Sequence, residues 1–119
     1  MKTILIAEDN DSNYKLMTYI LRKEYNYVRA VNGEEAVRKM ASGDIDLVLM
    51  DINMPIMDGL EAAKRIVGEH PEVPVVAVTA NAFEVDRRRA EQAGCKGFLA
   101  KPVNGAECLE LISQLLKKK

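Results

Sequence analysis

Five side chains that could do chemistry stand at the ends of short apolar runs. They are two adjacent carboxylates, a third carboxylate, a hydroxyl and an amine, namely Glu8, Asp9, Asp51, Thr79 and Lys101. Carboxylate oxygens are the ligands that Mg²⁺ prefers, and acids packed closely together need a cation to stay ionised. A hydroxyl can donate to phosphate oxygens, and a lysine ammonium holds phosphate as a point charge. Together these groups are typical of a phosphoryl-transfer site.

Asp51 is the predicted acceptor of the phosphoryl group. The sequence has no Walker-type glycine loop to hold a nucleotide, whereas aspartyl phosphates are an established covalent form. The apolar run before Asp51 would deliver its side chain to the floor of a pocket, and a loop bounded by Pro55 and Gly59 follows. Glu8 and Asp9 lie together on another loop, where they suit metal binding better.

The spacing of apolar residues predicts the elements that position these groups. Five short runs rich in β-branched residues predict strands at Thr3–Ala7, Tyr27–Val31, Asp46–Met50, Pro74–Thr79 and Gly97–Ala100. Each run is followed by a stretch with helical spacing. The fourth stretch, residues 84–93, is polar, and its three consecutive arginines predict a solvated helix face.

A few residues indicate where helices begin and end. Asn32 and Asn104 each stand three residues before a glutamate, as in a capping box. Asp11 is the expected cap of the first helix, and Gly68 is expected to end the third.

Five strand–helix units in succession predict an α/β fold, a single (βα)5 domain over residues 1–119 with helices on both faces of a parallel sheet. The second strand contains Arg29 between tyrosines and apolar residues, which is typical of a sheet edge. Right-handed crossovers then favour a doubly wound, flavodoxin-like sheet with strand order 2-1-3-4-5. Ligands of such sheets bind at the carboxyl ends of the strands, so the five polar side chains are expected to share one pocket.

Composition argues against several functional classes. The chain has 119 residues, 17 basic and 18 acidic, and its net charge of -1 argues against nucleic-acid binding within this chain. No apolar run approaches the ~18 residues of a membrane span. Cys95 and Cys108 do not suggest a disulfide framework. We expect a cytoplasmic domain, and with no output domain after Lys119 we expect no DNA binding within the chain.

The ordered set of motifs resembles the receiver domain of response regulators in two-component signalling. The motifs are Glu8-Asp9, Asp51 in Asp-x-x-Met-Pro-x-Met-Asp-Gly, Thr79-Ala80 and Lys101-Pro102, each placed at the end of a predicted strand. The resemblance spans residues 3–116. The stretches Thr-Ala-Asn-Ala-Phe and Ala-Gly-x-x-Gly-Phe-Leu-Ala-Lys-Pro-Val are most similar to receivers of hybrid histidine kinases.

The resemblance implies a phosphoacceptor that needs magnesium. Asp51 would take the phosphoryl group from a phosphohistidine on a histidine kinase or a histidine phosphotransfer protein. Asp9, Asp51 and the backbone carbonyl of Asn53 would ligate Mg²⁺, with Mn²⁺ as an alternative ion. Glu8 would act through a metal-bound water, and Asn53 and Asn81 match positions that tune hydrolysis of the aspartyl phosphate. The domain would catalyse its own phosphorylation and dephosphorylation without being a free-standing enzyme.

The resemblance also implies a switch. Lys101 would pair with the phosphoryl group, Thr79 would move to hydrogen-bond it, and Phe98 would swing inward. The surface formed by the fourth helix, the fifth strand and the fifth helix would change, and it is the candidate face for a homodimer. The peptide bond between Lys101 and Pro102 is expected to be cis.

Three other classes compete with this interpretation. A non-phosphorylated interaction module would use the shape of the fold alone, although the complete set of polar side chains argues against it. A metal-dependent phosphatase with an aspartyl nucleophile commonly has a second acid two residues later, where this chain has Asn53. A flavin-binding domain needs a hydroxyl-rich phosphate loop after the first strand, which this sequence lacks.

Overall fold

The computed structural model describes residues 1–52, 54, 59–80 and 84–117. Strands and helices alternate along these ranges: β1 (Thr3–Ala7), α1 (Asp11–Leu21), β2 (Asn26–Ala30), α2 (Gly33–Met40), β3 (Leu47–Asp51), α3 (Gly59–Glu69), β4 (Val75–Thr79), α4 (Glu84–Gln92), β5 (Gly97–Ala100) and α5 (Gly105–Lys117). The strands pair in parallel in the order β2-β1-β3-β4-β5. The predicted doubly wound, flavodoxin-like fold is therefore confirmed.

The alternation of side chains along the strands divides the core into two layers. Leu5 and Val48 pack with residues of α2 and α3, whereas their neighbours Ile4 and Leu47 pack with residues of α1 and α5. Because both faces are covered, the inner strands consist of continuous apolar runs. Strand β2 lies at an edge with three of its five residues exposed, as predicted. In the described ranges, no helix is long and apolar enough to cross a membrane.

The observed caps of α2 and α5 agree with the predicted ones, and the observed cap of α1 differs from its prediction. Asn32 and Asn104 accept first-turn amides of α2 and α5, as predicted. Helix α1 is capped by Asn10, which has extended backbone dihedrals and accepts an amide of the first turn. Asp11, the expected cap, is instead the first residue of the helix, and its carboxylate pairs with Arg29 at 2.8 Å.

Helix α3 contains two glycines with different surroundings. The helix continues past Gly68 to Glu69, contrary to the expected stop, because Gly68 does not have the positive φ with which helices commonly end. No atom lies within 4 Å of the point where a Cβ on Gly68 would stand. A Cβ on Gly59 would clash with the backbone oxygen of Asp51. The first turn of α3 therefore packs directly on the backbone of the predicted acceptor.

Helix α4 is held by few apolar contacts. Of its described side chains only Ala90 is buried, and this methyl group packs with Ile52 and Ala77. Phe98 of β5 packs against the same small cluster and is half-buried. The three consecutive arginines of α4 are exposed, as the sequence predicts.

Candidate functional site

The carboxyl ends of four strands bring the five polar side chains to one edge of the sheet. Carboxylate oxygens of Glu8, Asp9 and Asp51 lie within 4.8 Å of one another. The Nζ atom of Lys101 lies 2.9 Å from Oε1 of Glu8 and 3.0 Å from Oδ2 of Asp51. Thr79 is fully buried at the end of β4. The ends of β1, β3, β4 and β5 therefore bring three carboxylates, one ammonium and one hydroxyl of the described residues to this edge.

Backbone hydrogen bonds fix the strand ends relative to one another. Asp51 is the last residue of β3, one position later than the predicted strand end. The amide of Lys101 donates to the carbonyl of Thr79 at 2.8 Å, so that pairing of β4 with β5 continues up to the lysine. The amide of Glu8 donates to the carbonyl of Ala30 at 2.9 Å, which ties the acidic loop to β2. The positions of these side chains are thus set by the sheet.

Burial makes the ionised site costly. Glu8 and Asp51 are the buried acids of the described residues, with 0% and 3% of their surface exposed. Burial raises the pKa of Glu8; the contact with Lys101 lowers it, the charge of Asp51 raises it, and the net shift is upward. Burial by itself would lower the pKa of Lys101, but its contacts with Glu8 and Asp51 outweigh burial and raise it. The ammonium of Lys101 is thus shared by two buried acids.

Glu8 and Asp9 differ in their surroundings although they are adjacent. Oε2 of Glu8 accepts the amide of Asn10 at 3.2 Å, while Oε1 has the ion pair with Lys101 and no hydrogen bond to a described residue. Asp9 is exposed at the mouth of the site. The role of Glu8 toward a metal-bound water stays a prediction, because its direct partner in the structure is the ammonium.

The donor set fits a hard divalent cation. Three side chains offer carboxylate oxygens at close range, and their charge exceeds that of the single lysine. Glu8, Asp9 and Asp51 are the residues that could hold the ion. Asn53, the expected carbonyl ligand, and Asn81, the expected tuning residue, both lie outside the described residues. The peptide bond before Pro102 is cis.

Two arginines near the site were missed from the sequence. The guanidinium of Arg87 on α4 lies 4.7 Å from the ring centroid of Phe98. The run of three arginines in the sequence had indicated only a solvated helix face. Arg29 on β2 donates from Nε to the backbone oxygen of Glu8 at 3.2 Å. The sequence could have indicated the contact of Arg29 with the acidic loop, because Arg29 lies near the carboxyl end of β2, the strand that pairs with β1.

Comparison with known proteins agrees with this geometry. Residues 4–113 match the response regulator receiver domain family. The chain is 36% identical over 118 residues to the polar-differentiation response regulator DivK of Brucella anthropi. The alignment covers 97% of this chain and 96% of that protein.

Among the solved structures that share the fold are two receiver domains with more than 30% identity to this chain. One is the receiver domain of the sensor histidine kinase PA1611 from Pseudomonas aeruginosa PAO1, with a magnesium ion coordinated in its active site cleft (33% identity, TM-score 0.91, 98% of both chains). The other is the Saccharomyces cerevisiae co-crystal of the histidine phosphotransfer protein Ypd1 and the receiver domain of Ssk1 (34% identity, TM-score 0.83, 98% of this chain and 86% of that chain). With the family match over nearly all of the sequence, the chain belongs to the response regulator receiver domains, the phosphoacceptor domains of two-component systems.

Proposed function

We propose that Asp51 is the phosphoacceptor and takes its phosphoryl group from a phosphohistidine of a histidine kinase or histidine phosphotransfer protein. The observation that carries the proposal is the position of the Lys101 Nζ atom, 3.0 Å from Asp51 and 2.9 Å from Glu8, in a group of acids that includes Asp9. A carboxylate with a cation already beside it is suited to phosphoryl transfer, which depends on positioning and charge stabilisation.

Asp9 and Asp51 are the proposed direct ligands of Mg²⁺, together with the carbonyl of Asn53, and Glu8 is proposed to act through a bound water. Bound there, the ion would neutralise carboxylate charge and polarise phosphoryl oxygens. The magnesium ion in the receiver domain of PA1611 supports this choice. Mn²⁺ is proposed as a substitute because it accepts the same oxygen ligands.

The transfer exchanges one bond to phosphorus for another. A carboxylate oxygen of Asp51 attacks the phosphorus, and the P–N bond of the donor breaks with its electron pair left on the imidazole nitrogen. Lys101 then pairs with the phosphoryl oxygens instead of the free carboxylate. In hydrolysis, water attacks the phosphorus and the Asp51 carboxylate leaves, at a rate that Asn53 and Asn81 are proposed to tune.

Thr79 and Phe98 are proposed to couple the phosphoryl group to the surface. The register of β4 and β5 pairs Ala77 with Phe98 and Thr79 with Ala100. Paired residues of parallel strands share a face, so Thr79 and Phe98 lie on the same side of the sheet, two positions apart. A movement of Thr79 toward the phosphoryl group would let Phe98 turn inward, and the surface of α4, β5 and α5 would change.

The proposed partners and context follow the relatives. The complex of Ypd1 with the Ssk1 receiver supports a histidine phosphotransfer protein as donor. The likeness to the PA1611 receiver supports a receiver of the hybrid-kinase type. Residues 1–119 are proposed to act as one cytoplasmic domain, with the surface of α4, β5 and α5 as the face for a homodimer.

Incubation with acetyl phosphate, followed by intact-mass analysis, tests the acceptor. The wild-type chain should gain one phosphoryl group only when Mg²⁺ is present, and Asp51→Asn should gain none. Thr79→Ala should still be phosphorylated but lose the shift of the Phe98 ring signals in NMR. Undiminished modification of Asp51→Asn contradicts the assignment, and absence of Mg²⁺ binding at millimolar concentration would favour the non-phosphorylated interaction module.

A further inference from the structure

The loop that carries Asp9 is held from the neighbouring strand by Arg29. Nε of Arg29 donates to the backbone oxygen of Glu8 at 3.2 Å, and a terminal nitrogen donates to Oδ1 of Asp11 at 2.8 Å. The same guanidinium lies over the ring of Tyr14 on α1, 4.4 Å from the centroid. One rigid, planar cation therefore binds the residues on both sides of Asp9 and the helix that follows.

Arg29 is itself fixed by its surroundings. Its backbone oxygen accepts from Nζ of Lys39 on α2. The ring of Tyr14 meets that of Tyr27 edge-on, with centroids 6.4 Å apart. The arginine side chain is only 25% exposed. These contacts hold the strand backbone and the ring beneath the guanidinium, and with the bonds to Glu8 and Asp11 they leave it less freedom than an exposed surface arginine has.

We propose that Arg29 is a positioning residue of the magnesium site. By holding the loop from Glu8 to Asp11, it keeps the exposed Asp9 carboxylate beside the two buried acids before the ion binds, so that less conformational freedom is lost on binding. This inference rests on the proposed metal site. The positive charge of Arg29 acts in the opposite direction, because a nearby cation repels Mg²⁺. The sign of the effect of substitution therefore separates positioning from charge.

A titration of the full chain with MgCl₂, followed by NMR of backbone amides, measures this effect. Arg29→Met and Arg29→Lys should each weaken Mg²⁺ binding roughly tenfold, the lower end of what lost support of metal ligands costs. Lysine should not restore binding, since it keeps the charge but cannot bridge two acceptors in a plane. The matched controls are Arg22→Met and Arg22→Lys. Arg22 also lies over a tyrosine of α1, 4.6 Å from the Tyr19 centroid, and neither this contact nor its backbone bond to Thr18 involves the loop.

Two further readouts separate positioning from general stability. In metal-free protein, the amide of Asn10, which donates to Glu8, should exchange with solvent faster in the Arg29 variants than in the Arg22 variants. In phosphorylation by acetyl phosphate, the Mg²⁺ concentration for half-maximal rate should rise roughly tenfold, while the rate at saturating Mg²⁺ stays within about twofold.

Should the Arg29 variants not fold, the partner carboxylate supplies the test, since Asp11 has a side chain that is 82% exposed. Asp11→Asn keeps an acceptor oxygen for Arg29, and Asp11→Ala does not. Both variants lose the negative charge of Asp11, so the alanine variant should bind Mg²⁺ more weakly than the asparagine variant. Unchanged or tighter Mg²⁺ binding in Arg29→Met overturns the proposal. Failure of the wild-type chain to bind Mg²⁺ refutes the metal site itself, which is a different result.

Discussion

The two edges of the sheet use acidic side chains in opposite ways. At the carboxyl edge, Glu8 and Asp51 are buried against each other and share the ammonium of Lys101. At the amino edge, Asp46 is half-buried, and its Oδ2 accepts the amide of Thr3 at 2.8 Å. The first arrangement brings like charges together, whereas the second satisfies a backbone donor at the start of a strand.

The ionised form of Glu8, at the carboxyl edge, lowers the stability of the folded state. Burial raises the pKa of Glu8 above its usual 4.5, so the folded state binds a proton that the unfolded state has released. The contribution of Glu8 to stability therefore falls as pH rises from 4.5 through the raised pKa, and above it the cost is fully present. Asp46 instead accepts a backbone amide at the start of a strand. An acid of the amino edge thus satisfies the backbone, whereas the buried Glu8 of the carboxyl edge has an electrostatic cost.

The sharpest test of this contrast is Lys101→Met. It leaves Glu8 and Asp51 buried without their cation, and we expect a loss of about 3 kcal/mol in the free energy of unfolding near neutral pH. The loss should shrink in acid, because the pKa of Glu8 is already raised and would rise further without the lysine. Urea unfolding at about pH 7.5 and about pH 5 measures both effects.

Asp51→Asn is the matched control for that experiment. It removes one of the two buried negative charges and leaves Lys101 paired with Glu8, so it should be as stable as the wild-type chain or more stable. Equal destabilisation by both substitutions would show that the site is held by packing and not by charge balance.

The second test compares the two ends of α3. Gly59→Ala would force a methyl group onto the backbone of Asp51 and should cost about 1–3 kcal/mol of stability and slow phosphorylation. Gly68→Ala, in open space at the other end of the helix, should stabilise by about 0.5–1 kcal/mol and leave phosphorylation unchanged. Thermal unfolding and the acetyl phosphate assay follow both. A neutral Gly59→Ala would contradict the close packing of α3 on the site.

The smallest expected effect belongs to the amino edge. Asp46→Ala leaves the amide of Thr3 without its acceptor and should cost about 1 kcal/mol, whereas Asp46→Asn, which keeps an acceptor oxygen, should cost less. Phosphorylation should be unchanged in both. A phosphorylation defect in either variant would mean that the two edges are not independent.

The sequence was sufficient for features that depend on pattern and topology. Two-sided burial makes β1, β3 and β4 continuously apolar, and the exposed residues of β2 mark it as an edge, so strand order follows from crossover handedness. The same topology brings Glu8, Asp51 and Lys101 together, because parallel strands end at one edge.

Contacts that depend on the direction of one side chain were beyond the sequence. Asp11 and Asn10 are both good caps. In the structure Asn10 is the cap and Asp11 pairs with Arg29, a residue that is distant in the chain. Whether Gly68 ends a helix depends on its φ, which composition does not fix. The stacking of Arg87 on Phe98 likewise requires the relative placement of α4 and β5.

The few apolar contacts of α4 affect how much free energy is needed to displace this helix. A helix that contributes little more than one methyl group to the interior can slide or detach while uncovering little apolar area, so its displacement is thermodynamically cheap. The proposed phosphorylation of Asp51 would therefore need to break few apolar contacts to displace α4.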